Sequence, residues 1–254
     1  MIAAIFEVLS FELRRTLTLG RGLIWLGLAT FPATLIFTVR WQRGDTIPID
    51  AAALIIFFLV PQVTCLLGLL LWATPAVQTE LEGQTWIYLA VRPLGKLAVV
   101  FGKYLIAVLW TAAAGILSVT ASVLACGAAE PVRLWLSLST LVCLSTLSYG
   151  ALYLLIGVIV LRRAIVFAVA YTLLIELAVS LIPATINKLT ISHRLRALLA
   201  DWMKLETIRS RAEIIFGEQA TLSHLLFLLG YTIVLLIATA LVVRWREMPM
   251  QAES

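Results

Sequence analysis

Residues 53–73 read ALIIFFLVPQVTCLLGLLLWA. The run has 21 residues and no charge, and an α-helix of about 20 apolar residues crosses the roughly 30 Å hydrocarbon core of a bilayer. A helix on the surface of a soluble domain would repeat polar residues along one face. Here the uncharged polar side chains are only Gln62 and Thr64. In lipid, every backbone amide needs a partner inside the protein, which restricts spanning structures to helices and closed barrels. Pro61 stands in the middle of the run; it kinks a helix there and frees a carbonyl.

Similar runs lie on either side, at about 22–39, 97–125, 134–161, 164–183 and 222–243. The chain is 62% hydrophobic and 13% charged, against about 25% charged in soluble domains, and the mean hydropathy is +1.03. The expected fold class is therefore an all-α membrane protein, a six-transmembrane-helix bundle forming a single transmembrane domain over 1–254. Two amphipathic helices should accompany it. Ile2, Ile5, Phe6, Leu9, Leu13 and Leu17 recur at helical spacing, the pattern of an N-terminal interfacial helix. In the long connection 184–221, Ile191, Leu195, Leu198, Trp202, Leu205 and Ile208 do the same. That outer helix is expected to lie flat on the outer surface or to plug the outer end of a cavity.

The net charge of +5 reads as Lys and Arg gathered on a cytoplasmic membrane rim rather than as a nucleic-acid interface. With both termini cytoplasmic, the inner segments hold ten basic residues (Arg14, Arg15, Arg21, Arg92, Lys96, Lys103, Arg162, Arg163, Arg244, Arg246) and the short outer loops hold three (Arg40, Arg43, Arg133). The connection 184–221 adds six to the outside, but early spans and short loops dominate orientation. The expected location is the cell membrane, multi-pass, in a bacterial inner membrane. Glu7 and Glu12 stand where a signal peptide would be positive, so the first span is expected to direct insertion. Cys65, Cys126 and Cys143 lie in or beside apolar runs without CxxC spacing and read as small buried hydrophobes. Two rows of small residues on the third span, Ala107-Thr111-Gly115 and Ala114-Ser118-Ser122, suit close helix contact in lipid.

Motifs for chemistry are absent. No GxxxxGK[ST] loop exists: Gly95-Lys96 is followed by Leu97 and Gly102-Lys103 by Tyr104. HExxH and GxSxG are missing too, and His193 and His224 are too far apart in sequence to read as a metal pair. One acid breaks an apolar run. Glu176 opposes insertion by roughly 2–4 kcal/mol, which the run's aliphatic and Phe residues offset by roughly 3–6 kcal/mol. It should face another helix or a water-filled cavity, either as a substrate-pathway or proton-linked group or as a protonated carboxyl hydrogen-bonded to a neighbouring Tyr, Thr or Ser.

The connection between the second and third spans carries the functional signal. Residues 75–104 read PAVQTELEGQTWIYLAVRPLGKLAVVFGKY. A short surface helix is expected over 79–92, with Glu80 and Glu82 near its start and Arg92 near its end, as the helix dipole favours, and a stop at Pro93. Acid-rich start, glycine and threonine, a Tyr-Leu step, proline, and a basic residue before a Gly-Lys pair stand here as Glu80, Glu82, Gly83, Thr85, Tyr88-Leu89, Pro93, Lys96 and Gly102-Lys103. This segment resembles the membrane subunits of ABC exporters of the type-2 permease family, with Gln84 between the glycine and the threonine as a departure.

The resemblance implies a non-catalytic permease subunit with a cytoplasmic coupling helix between spans two and three. Glu80, Glu82, Gly83, Thr85, Tyr88, Arg92 and Pro93 would form the coupling surface, and Glu176 would lie in the substrate pathway. The partners implied are an ABC ATPase subunit and a second permease copy, within membrane lipid and without nucleic acid. No cofactor is implied in this chain; ATP and Mg would be bound by the ATPase. Two alternatives stay open: a scaffold or assembly factor that binds a cytoplasmic partner without transport, and a lipid-modifying membrane enzyme.

Overall fold

The computed structural model of the chain describes residues 18–44, 47–82, 95–128, 130–178, 190–205 and 221–245. Among these the regular structure is entirely helical. The expected interfacial helix over 2–17 lies outside the described residues, as do Gly83, Thr85, Tyr88, Arg92 and Pro93 of the expected coupling helix.

Five helices are long and apolar enough to cross a membrane: α1, Leu19–Arg43; α2, Ile49–Trp72; α4, Gly95–Cys126; α5, Pro131–Ile159; and α8, Thr221–Trp245. The short α3, Gln78–Glu82, follows α2. α6 begins as Ala164–Tyr171 and continues as a π-helical stretch, Thr172–Ala178. α7 is Ile191–Met203.

Helix ends follow from local chemistry. α1 stops at Gly44, whose φ of 72° is the left-handed value that glycine adopts without steric cost. α5 begins with Pro131 in its first turn, where a missing N–H costs nothing. α7 is capped by Thr190, whose hydroxyl accepts from the His193 amide at 3.3 Å. Pro61 does not break α2. The helix widens to π geometry over Phe58–Thr64, and the Thr64 hydroxyl and Ser145 hydroxyl donate to the carbonyls of Leu59 and Pro61. Those bonds occupy carbonyls that the disturbed ladder serves poorly.

α5 is the hub: α2, α4, α6, α7 and α8 all pack on it, while α1 lies along α4. The contacts fix directions. Trp25 of α1 donates to the Trp110 carbonyl of α4 at 2.9 Å, and Arg40 donates to the Ala125 carbonyl at 2.9 Å. Both contacts advance together, so α1 and α4 run parallel. Gly68 of α2 faces Thr111 of α4, and Gly115 of α4 faces both Cys65 and Val142, which makes α2 and α5 antiparallel to α4. The small residues Ala107, Thr111, Ala114, Ser118 and Ser122 are buried in these contacts, as close packing between lipid-embedded helices requires. Large apolar side chains such as Leu26, Phe37, Leu124, Val166 and Val234 point outward, the inside-out pattern of a bundle whose solvent is lipid.

The described part of α6 is shorter than a span; its apolar stretch is Ala164–Glu176. Glu176 meets the first residues of α7, and α7 then continues along α5 to Trp202, whose carbonyl accepts from Arg133 near the start of α5 at 2.8 Å. The thirteen residues of α7 add roughly 20 Å in the same direction. α7 therefore neither lies flat on a surface nor sits outside the bundle. Ile191, Leu195, Leu198 and Leu199 are fully buried between α2, α5 and α8.

Candidate functional site

A polar cluster occupies the break between α6 and α7. Glu176 is 5% exposed. Its carboxylate accepts from the Tyr149 hydroxyl at 2.7 Å, from the Ser192 amide at 3.1 Å and from the Ile191 amide at 3.4 Å. Tyr171 reaches the same carboxylate and pairs with Tyr231 of α8. One helical turn before Glu176, the Thr172 hydroxyl pairs with that of Tyr153 at 2.6 Å. From α2, Gln62 donates to the Ser192 hydroxyl.

The physical logic is helix capping at long range. The first amides of α7 lack intrahelical acceptors and carry the positive end of the helix dipole. Glu176 supplies the acceptor. Gln62 and Glu176 both sit in π-helical stretches, Phe58–Thr64 and Thr172–Ala178, so the two irregular segments of the bundle meet at one helix terminus. π-bulges are frequent at functional sites, and discontinuous membrane helices tend to place binding groups at their breaks.

Higher on α7, Arg194 is buried with its guanidinium 3.1 Å from His224 Nδ1 and 4.4 Å from the centroid of Phe227. The Phe227 face partly replaces its lost hydration. Thr221 donates to Asp201 at 3.0 Å, fixing the start of α8 to the end of α7.

A second buried polar group stands at the opposite end of the bundle. The turn 73–77 and α3 fold back on α4, where the Lys103 ammonium lies 2.6 Å from Glu80 Oε1. It also donates to the Ala76 carbonyl and the Thr79 hydroxyl, each at 3.0 Å. Glu80 and Lys103 are each 7% exposed. Beneath the same turn, a Cβ placed on Gly157 of α5 would lie 2.2 Å from the Thr74 carbonyl oxygen. Only glycine admits so close a backbone approach.

Of the residues singled out by sequence, Glu176 and Glu80 are thus buried and partnered, about the bundle's interior and its rim respectively. Glu82 lies in α3. The sequence reading missed Tyr149, Gln62, Ser192 and Arg194. An acid in an apolar run announces itself through its insertion cost, whereas a tyrosine or an amide that satisfies it has no such signature. Among the described residues no group of three or more His, Cys, Asp and Glu could hold a metal ion. The chain matches no protein-family model and no curated protein.

Proposed function

We propose that this chain is the permease subunit of an ATP-driven ABC exporter of the type-2 kind. It forms the substrate pathway in the bacterial inner membrane and takes its energy from a separate ATPase subunit, which holds ATP and Mg. The observation that carries this reading is the run from Glu80 to Lys103, whose motif residues begin after the second apolar helix and end in the first turns of the next. Glu82, Gly83, Thr85, Tyr88, Arg92 and Pro93 supply the docking surface, while Glu80 holds that surface to the bundle.

The architecture supports the reading. α6 and α7, running in succession along α5, make a broken sixth crossing between α5 and α8. Six crossings return the C-terminus to the side of the N-terminus, which the basic rim makes the cytoplasm. Two of the three short-loop arginines assigned to the outer side, Arg40 and Arg133, are bound to carbonyls at the ends of α4 and α7; their placement answers to helix termini. Glu176, at the break of the crossing, is the pathway group. Two such chains with two ATPases make the working unit.

The docking assignment is tested by reversing charge on the segment. Glu82→Lys with Arg92→Glu should sharply reduce the ATPase that co-purifies with the chain. Undiminished recovery would reject the docking surface.

A further inference from the structure

We infer that Lys103 is the positioning residue that joins the docking segment to the transport bundle, acting through Glu80 as one rigid joint; this rests on the exporter reading above. The geometry is specific. All three donors of the ammonium find acceptors: Glu80 Oε1 at 2.6 Å, the Ala76 carbonyl at 3.0 Å and the Thr79 hydroxyl at 3.0 Å. These acceptors lie on the turn and on α3, and Lys103 lies on α4. One side chain therefore ties the stretch 76–80 to the third apolar helix.

The turn itself is tied at several points. The Ala73 and Thr74 amides both bond the Leu69 carbonyl, the Thr79 amide bonds Pro75, and the Glu80 amide bonds Val77. Ala73, Thr74, Ala76 and Val77 are buried, and the Thr74 carbonyl rests where Gly157 leaves no Cβ. A displacement of the chain beyond Glu82 is thereby delivered to α4 through Lys103 and to α5 through Thr74 and Gly157. Without the ion pair, the stretch 76–80 would keep its covalent links, to α2 directly and to α4 through residues 83–94, but would lose its side-chain tie to α4. A buried charge pair is also a poor choice for stability alone, since apolar residues of similar size commonly do as well.

The test is made on the complex of this chain with its co-purifying ATPase, reconstituted in lipid nanodiscs. Ser137→Cys places a thiol in the opening lined by Glu130, Arg133 and Leu136 at the far end of the bundle, with the exposed Cys143 changed to serine. Its reaction with a membrane-impermeant maleimide is compared between the nucleotide-free complex and the complex trapped with ATP and vanadate. In Lys103→Met the ATPase should remain bound and hydrolyse ATP, while the nucleotide-dependent change in labelling falls at least about fivefold. Lys103→Arg, which keeps the charge and the donors that face Glu80, Ala76 and Thr79, should retain most of the change.

Lys103→Met with an undiminished labelling response overturns the inference. If that variant does not fold, Glu80→Gln decides: a folded Glu80→Gln chain that binds the ATPase with a diminished labelling response supports the joint, and one that binds and responds in full overturns it. A parent chain that brings no ATPase, or whose labelling ignores nucleotide, defeats the exporter reading itself and is seen before any variant is made.

Discussion

Glu176 shows how one side chain can be both a burden and a fastener. Its carboxyl group is buried and accepts from Tyr149, Ile191 and Ser192. Glu176→Leu would leave two amides and a hydroxyl without acceptors, at about 1–3 kcal/mol for each that stays buried and unsatisfied. We expect a large drop in thermal stability in detergent and faster hydrogen exchange at residues 191 and 192. Tyr149→Phe removes one bond and should cost about 0.5–1.5 kcal/mol. If Glu176→Leu were as stable as the parent, the acid would have no capping role. Gly157 makes a second residue-scale case. Gly157→Ala forces the turn away from α5 and should cost about 1–3 kcal/mol, whereas Gly27→Ala, with nothing within 4 Å, should be tolerated; equal melting temperatures would contradict the close approach. The sequence exposed Glu176 because charge in an apolar run is conspicuous. It also exposed Glu80 and Lys103, but not that they pair, because the fold of the turn 73–77 decides that and no residue there advertises it.

At the scale of elements, periodicity located α7, and of its two expected placements the packing against α5 and α8 excludes the one flat on a surface. Arg194, Arg196 and Asp201 break the apolar stripe and suggest a face in water. In the bundle, Arg194 instead meets His224 and Phe227, so neighbouring helices supply the polar contacts that water would have. The expectation for α2 was a kink at Pro61; the π stretch Phe58–Thr64 accomplishes the adjustment and turns Gln62 toward Ser192. This contact yields a direct check on the broken crossing. Gln62→Cys with Ser192→Cys should cross-link in native membranes under mild oxidation, and a residue pair on a surface-lying helix would not. Failure to cross-link, with both thiols open to an impermeant reagent, would place α7 outside the bundle. Arg133→Ala should loosen the far end of α7 by removing the donors to the Trp202 carbonyl, seen as faster exchange near residues 200–203 with the Glu176 end unchanged.

For the whole molecule, composition alone established a helical membrane protein, because no soluble fold accommodates so many uncharged runs of bilayer length. Five of the expected spans correspond to long apolar helices. The remaining one was read as a single run, 164–183, of which the described residues hold only the shorter apolar stretch Ala164–Glu176. Function was legible only in the segment after α2, and there as a resemblance, since docking chemistry consists of ordinary charged and aromatic residues. Among the described residues the polar groups at the break bind one another and mark no substrate.

The account stands or falls on a partner. The full chain should be extracted from its native membrane in mild detergent or polymer discs and everything bound to it identified and quantified. The exporter reading predicts one stoichiometric subunit carrying a nucleotide-binding P-loop for each copy of this chain, with ATP hydrolysis in the purified complex. Recovery of the chain alone, from preparations in which other membrane complexes remain whole, would contradict it.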